Sequence, residues 1–421
     1  MAGDSPVVID DGVVDVADGR VVWAGAAADA PAFDGVVQRV PGVLLPGFVN
    51  THAHTPMVLL RGVGEGLPVD RWLTEAMWPR EGRLTPDDVR WAMRLGAAEL
   101  LGNGITTSHE MYFYADQVAG GAVDAGLRAV VTPPILPDVA LLGGWERQLD
   151  AIGDLADEFV GHDRITVGAG PHAAYSLERH MLTAVGDLVR ERGLHVHTHV
   201  AEVRQEGDGI AAEYGLTVPR YLESVGLLES RLVAAHGIWL TDDDIDLFSR
   251  APVGVAHCAM SNGKHASGIA RVSDLRTAGV PVGIATDGPA SQDRLDPFEE
   301  MRMALRLARL RADDASVLGP GDVLTMATRE AADVLGRSDL GRLTPGARAD
   351  MIAVETETLG PIIESRDILT HLVYSGRPDL VHTVWVEGET VVADGGATGI
   401  DVALARREVS QRARRIAEEV T

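Results

Sequence analysis

An α/β fold is predicted here, a (β/α)8 TIM barrel with a small β-sandwich beside it. Two observations carry that reading. Apolar, strand-like runs alternate with amphipathic stretches through the middle of the chain, and β-rich, Gly-rich segments stand at both of its ends.

Residues 6–45 read as short strands broken by turns. Val7-Val8-Ile9, Val13 to Val16, Val21-Val22-Trp23 and Val36 to Val40 are the apolar runs, and Asp18-Gly19 between two of them is a hairpin signal. From about residue 46 the pattern changes: apolar runs ending in polar loops lie at 43–51, 105–111, 127–133, 165–171, 194–200, 232–236, 253–257 and 281–286. Amphipathic stretches such as 85–101, 177–192, 208–226 and 296–311 separate them. Thr85-Pro86-Asp87-Asp88 and Thr241-Asp242-Asp243-Asp244 look like helix starts, each a capping hydroxyl followed by acidic first-turn residues. Eight strand-then-helix units favour a barrel over a doubly wound sheet, because eight parallel strands close on themselves. After residue 340 the β-rich character returns at Asp350 to Val354 and Val381 to Val392, the latter turning at Glu387-Gly388. The expected division is therefore 1–45 with 341–400 as a composite β-sandwich, 46–340 as the barrel, and 401–421 as a C-terminal helix.

Composition narrows the function. The chain has 421 residues, 46% of them hydrophobic, enough to bury a large core. A formal charge of −25 argues against nucleic acid or an anionic membrane surface as partner and suits a small-molecule substrate. The single cysteine, Cys258, excludes an internal disulfide framework and reads as a small buried residue. No signal-peptide pattern and no apolar run of spanning length is found, so a cytoplasmic protein with no membrane segment is expected. Lys264 is the only lysine, against 36 arginines.

In barrels of this kind function gathers where strands end. Those positions hold His52 and His54, Glu110, His172, His199 with Glu202, His236, His257 and Asp287. His52 and His54 share one strand face, roughly 6–7 Å apart along the backbone. Taken alone, the pair suits a metal site and two hydrogen-bonded core histidines equally well. In His195-Val196-His197-Thr198-His199 all three imidazoles share a face, and each step back lies about 6.6 Å deeper, which leaves His199 at the strand end. Glu202 falls just beyond it, placed to reach a metal-bound water without ligating the ion. Asp287 ends the last strand. His52, His54, His199 and Asp287 would offer three nitrogens and one oxygen with a position left for water, the open geometry of catalytic zinc or iron(II).

Pro46-Gly47-Phe48-Val49-Asn50-Thr51-His52-Ala53-His54, His199-Val200-Ala201-Glu202, the lone His236 and Thr286-Asp287-Gly288 together resemble the amidohydrolase superfamily. So do Met77-Trp78-Pro79-Arg80-Glu81, Gly170-Pro171-His172 and Ser261-Asn262-Gly263-Lys264, which look like its deaminase branch, the S-adenosylhomocysteine and methylthioadenosine deaminases with their chlorohydrolase relatives. The resemblance covers nearly the whole chain. It implies hydrolytic removal of ammonia from an adenosine-type nucleoside: adenosine, 5′-deoxyadenosine, methylthioadenosine or S-adenosylhomocysteine. Asp287 would ligate the metal and take the proton of water, Glu202 would protonate the ring nitrogen, and His236 would stabilise developing charge. Glu81 would accept from ribose hydroxyls and His172 would contact the purine or sugar. Trp78, like Trp72 and Met77, would wall the base or simply pack. Two-metal relatives carry a carbamylated lysine after the fourth strand; Ile165 to Tyr175 has none, so one divalent ion is expected, Zn2+ or alternatively Fe2+. Some relatives hold the homocysteine carboxylate with an arginine where this chain has Pro133-Pro134, and Arg147 is the candidate to replace it. The family habit implies a homo-oligomer, a dimer or tetramer. A deaminase of a free heterocycle (guanine, pterin, cytosine or s-triazine) and a non-catalytic binding protein are the alternatives.

Overall fold

The computed structural model describes residues 6–32, 34–137, 139, 143–365 and 367–420. In chain order its strands are β1 (Gly12–Ala17), β2 (Arg20–Ala26), β3 (Val43–Pro46), β4 (Phe48–Ala53), β5 (Ile105–Glu110), β6 (Arg128–Val131), β7 (Pro134–Ile135), β8 (Ile165–Val167) and β9 (Gly170–Pro171). They continue with β10 (Val196–Val200), β11 (Leu232–His236), β12 (Val253–His257), β13 (Val282–Ile284), β14 (Met351–Val354), β15 (Val381–Val386), β16 (Glu389–Ala393) and β17 (Gly396–Ala397). Parallel pairing builds two four-stranded sheets, in the orders β4-β5-β6-β8 and β10-β11-β12-β13. Isolated parallel bridges connect their edges: Ala53 with Asp287 on one side, Ala169 with Val196 and Ala173 with His199 on the other. Every residue of β4, β5, β10, β11 and β12 is buried, as strands covered on both faces must be.

The apolar run at 43–51 is not one strand. It divides at Gly47, so that β3 pairs antiparallel with β14 while β4 enters the parallel sheet beside β5. Only glycine fits this junction, because a Cβ there would lie 2.1 Å from the Thr106 hydroxyl. The expected strands at 7–9 and 36–40 do not form: Val7, Val36 and Val37 pair with no strand and stay exposed. The expected helix at 208–226 is two helices, Arg204–Tyr214 and Val218–Ser224. Gly215 at φ 68° ends the first and the Thr217 hydroxyl caps the second. Thr85 and Thr241 do start helices, each closing a reciprocal capping box with the aspartate three residues on. No helix among the described residues is long and apolar enough to cross a membrane.

The two ends of the chain meet. A five-stranded sheet in the order β17-β16-β15-β14-β3 joins residues from both. The β1–β2 hairpin lies against it, burying Val21 with Ala349, Met351, Ala353 and Trp385. A buried ion pair ties this sheet to the parallel strands. Arg128 of β6 donates from Nε and Nη2 to the two Asp350 carboxylate oxygens at 2.9 and 3.2 Å, and both side chains are essentially inaccessible. Burial works against the guanidinium charge, but Asp350 and Glu387 raise its pKa further. Removing Asp350 takes away the bidentate carboxylate and leaves the buried guanidinium only Glu387 at 3.3 Å and the Asp163 carbonyl. Asp350→Ala is therefore expected to cost about 3 kcal/mol in chemical denaturation, the lower end for a broken buried pair. Arg128→Met with Asp350→Leu should recover part of that loss, though not all, because the Glu387 amide also donates to Asp350.

Candidate active site

Strand alternation sets His52 and His54 on one face, their ring centroids 4.7 Å apart. The His199 ring stands 4.9 Å from that of His52, and the His236 ring 5.6 Å. Ligand atoms within 4.8 Å of one another form two overlapping groups, His52–His199–His236 and His52–His54–Asp287. The structure thus brings together all four predicted ligands and adds His236, which sequence reasoning had placed only as a charge stabiliser.

Hydrogen bonding determines which nitrogen of each ring is free. His54 Nδ1 lies 2.6 Å from the Met111 carbonyl and His199 Nδ1 lies 2.7 Å from the His172 carbonyl. A carbonyl only accepts, so both Nδ1 atoms carry the proton and both Nε2 atoms are bare. His236 Nδ1 donates in the same way to Asn262 Oδ1 at 2.8 Å. His52 needs one more step. Thr132 donates its hydroxyl proton to the Glu110 carbonyl at 2.9 Å, so it accepts from His197 Nδ1 at 3.0 Å. His197 Nε2 must then accept, and its partner at 2.7 Å is His52 Nδ1. His52 Nε2 is left bare, buried and without a hydrogen-bond partner. Four lone pairs converge on one volume beside a carboxylate, a donor set that fits a divalent metal ion.

Electrostatics agree with that fit. Burial pushes the His52 imidazole down to about 4 and His199 well below its ordinary value, so both are neutral ligands at pH 7. Burial alone would raise Asp287, but the imidazoles of His52, His54 and His236 around it hold its carboxyl well below the usual range. Asp287 Oδ1 stands 3.3 and 3.4 Å from the Nε2 atoms of His52 and His54, while Oδ2 accepts from Ser261 at 2.6 Å. For His236 burial lowers the pKa, yet Glu202, Asp287 and the Asn262 bond outweigh it and the net shift is upward. Glu202 Oε1 is 3.8 Å from His236 Nε2. Three non-glycine residues at these strand ends, Ala201, His236 and Asp287, adopt left-handed φ of 50°, 71° and 57°. Backbone held in that costly region at the chemistry-bearing residues is where strain is stored for function.

His54, His199, Glu202, His236 and Asp287 line an open cavity, with His52 buried behind them. Trp78, Glu81 and His172 line it too. Glu81 is only 4% exposed, and burial pushes its carboxyl up to about 7, partly offset by the neighbouring Tyr112 hydroxyl. Arg147 is different: it is exposed on the helix Trp145–Glu158 and does not line the cavity. A cation expected from sequence position alone has no apolar wall to draw it inward. Glu110, another strand-end residue, is fully engaged by the Thr55 amide and hydroxyl at 2.9 and 2.6 Å. Cys258 is buried. Sequence reasoning gave no role to Thr132, Tyr112 or Tyr175; Ser261 and Asn262 entered only as part of the motif Ser261-Asn262-Gly263-Lys264, and the signal of His197 was its two-residue offset from His199.

His197 orients a ligand without facing the cavity. His197→Phe should leave the His52 Nδ1–H unpartnered and weaken metal binding by roughly 10–100-fold, read by competition against a chelator. Unchanged affinity would show that the His52 tautomer needs no such support.

Comparison with known proteins accords with this geometry. The Amidohydrolase family pattern matches residues 43–391. A 5-methylthioadenosine/S-adenosylhomocysteine deaminase of Pelotomaculum thermopropionicum is 36% identical, covering 96% of this chain and 94% of its own. A 5′-deoxyadenosine deaminase of Methanothermobacter thermautotrophicus is also 36% identical, over 91% and 90%. Among solved structures, an adenosine deaminase from Xanthomonas campestris with bound zinc superposes with a TM-score of 0.94 at 33% identity, covering 98% of this chain and 95% of that one. With matching pattern, relatives and donor set, the chain belongs to the amidohydrolase family.

Proposed function

We propose that this protein is a hydrolytic deaminase of an adenosine-type purine nucleoside, dependent on a single zinc ion. One observation carries the reading: converging imidazole nitrogens with Asp287, Glu202 and His236 share a cavity with a buried carboxylate, Glu81. The relatives named above act on nucleosides of this kind. Bridging at both sheet edges supports one closed barrel over 46–340, and the hairpin packed on the terminal sheet supports the composite sandwich of 1–45 with 341–400, leaving 401–421 as a helix. Lys264 Nζ bonds to the Ala290 carbonyl at 3.2 Å and to Asp293, so it is committed elsewhere, which supports one ion rather than two.

His52, His54, His199 and Asp287 would hold the zinc, with His236 in reach. When bound, such an ion supplies Lewis acidity that makes water nucleophilic near pH 7. Asp287, held anionic, accepts the proton from the attacking water. Glu202 gives a proton to the ring nitrogen beside the amino-bearing carbon, which makes that carbon electrophilic, and then assists departure of ammonia by taking the proton of the added hydroxyl as the carbonyl forms, while the proton on Asp287 leaves with the amino group. His236, with Nδ1 fixed by Asn262, presents a bare Nε2 that accepts a hydrogen bond from the attacking water and holds it at the reacting carbon. At the other side of the cavity Glu81 accepts from ribose hydroxyls, while Trp78 and His172 border the base. The alternative, a free heterocycle, leaves the buried Glu81 carboxylate only the Tyr112 hydroxyl and no substrate donor, and is disfavoured for that reason.

Ammonia release from a panel of nucleosides and free bases, with and without chelator, tests the assignment. Nucleosides should react and chelation should stop them. Glu202→Gln is expected to retain the metal while losing about 10²–10⁴-fold in kcat. Near-normal turnover would remove its proton-transfer role. A second expectation concerns pH. Glu81 must be ionised to accept from two hydroxyls, and its pKa is pushed up to about 7. So kcat/KM for ribonucleosides should fall as pH drops through 7, and Glu81→Gln should abolish that limb; an unchanged profile in the variant would assign the titration elsewhere.

A further inference from the structure

Glu300 is a buried carboxyl outside the set already described. It stands on the helix Pro297–Ala312, which Asp296 caps by accepting from the Phe298 and Glu299 amides. That helix is fixed in the core, where the Phe298 ring meets Phe48 edge-on at 5.4 Å. The Glu300 side chain has no exposure, and no cation pairs with it among the described residues. Its Oε2 accepts instead from the Met260 amide at 3.1 Å. Burial, with a smaller contribution from Asp287, pushes the carboxyl well above its ordinary range against the pull of that bond. A methionine would fill the same space without the cost of burying an acid, but it would take the acceptor from the Met260 amide.

Met260 belongs to the six-residue helix Ala259–Lys264, and the two residues after it hold the reacting groups. Ser261 donates to Asp287 Oδ2 at 2.6 Å, which turns Oδ1 toward His52 and His54. Asn262 Oδ1 accepts from His236 Nδ1 at 2.8 Å. At the far end Lys264 Nζ reaches the Ala290 carbonyl at 3.2 Å and Asp293. A helix this short does not hold its own position, so its attachments set where Ser261 and Asn262 stand. We infer that Glu300 is a positioning residue of the reaction: by holding the Met260 amide it sets Ser261 on Asp287 and Asn262 on His236. Its effect on turnover rests on the deaminase reading above, whereas its effect on the ligand Asp287 does not.

Glu300→Met, Glu300→Gln and the wild type are compared for zinc affinity, by competition against a chelator, and for kcat when zinc-loaded, by ammonia release from the fastest nucleoside of the panel. Glu300→Met should bind zinc roughly tenfold more weakly and lose at least about tenfold in kcat. Glu300→Gln keeps an oxygen for the Met260 amide and should stay within about threefold of wild type in both. The zinc-affinity loss from Glu300→Met should shrink to about threefold or less in a Ser261→Ala or an Asn262→Ala background, because groups acting through one another are not additive. Full additivity in both backgrounds would overturn the inference. So would a lowered unfolding temperature with kcat and zinc affinity unchanged, the result of a purely structural role. If Glu300→Met does not fold, Glu300→Asp withdraws the carboxyl by one methylene, and wild-type kcat and zinc affinity there would equally overturn it. A zinc-loaded wild type that turns over no nucleoside would remove the deaminase reading, and the zinc competition would still decide the role of Glu300.

Discussion

Everything at this site depends on four imidazoles being held in one tautomer. Each must keep its proton on Nδ1, pointed outward, so that Nε2 faces the shared volume as a lone pair. Had any of them protonated Nε2 instead, the cluster would present a donor to an incoming cation. The protein prevents this with acceptors taken from other segments: two backbone carbonyls, the Asn262 amide, and for His52 a second buried histidine. Such outer partners orient the ring and raise its basicity as a ligand.

The His52 arrangement shows how far this support reaches. From His52 the chain of hydrogen bonds runs through His197 and Thr132 to the backbone of Glu110, crossing from β4 to β10 and back to β5 by way of the residue after β6. His109 stacks on His197 with ring centroids 3.8 Å apart. A polar column of this kind is tolerable in an apolar interior only because nearly every member has a partner. The orphan that stands out is His52 Nε2, at the point where a metal would complete the set. Left-handed backbone at Ala201, His236 and Asp287 belongs to the same economy: local conformational cost is accepted where side chains must turn into the site.

Much of this was legible in the sequence because it follows from periodicity. Two-residue alternation places His52 with His54 and ranks His199 above His197, and eight apolar runs spaced by helices announce the parallel strands. The capping boxes at Thr85 and Thr241 are local chemistry and equally readable. What escaped is non-local. Nothing near Gly47 in sequence says that a strand must divide there, since the cause is the Thr106 side chain that crowds it. The run at Val36 to Val40 has strand composition but pairs with no strand and stays largely exposed. Asn262 and Thr132 are ordinary polar residues until the fold brings them to a histidine nitrogen. Arg147 failed for the converse reason, because sequence proximity to a cavity-lining segment does not turn an exposed side chain inward.

The central claim is that these nitrogens and Asp287 serve one metal ion required for turnover. Titrating zinc into chelator-treated protein while following nucleoside deamination tests it most directly. Activity should rise linearly and level off at one equivalent per chain. A break at two equivalents, or full activity before any metal is added, would contradict the account.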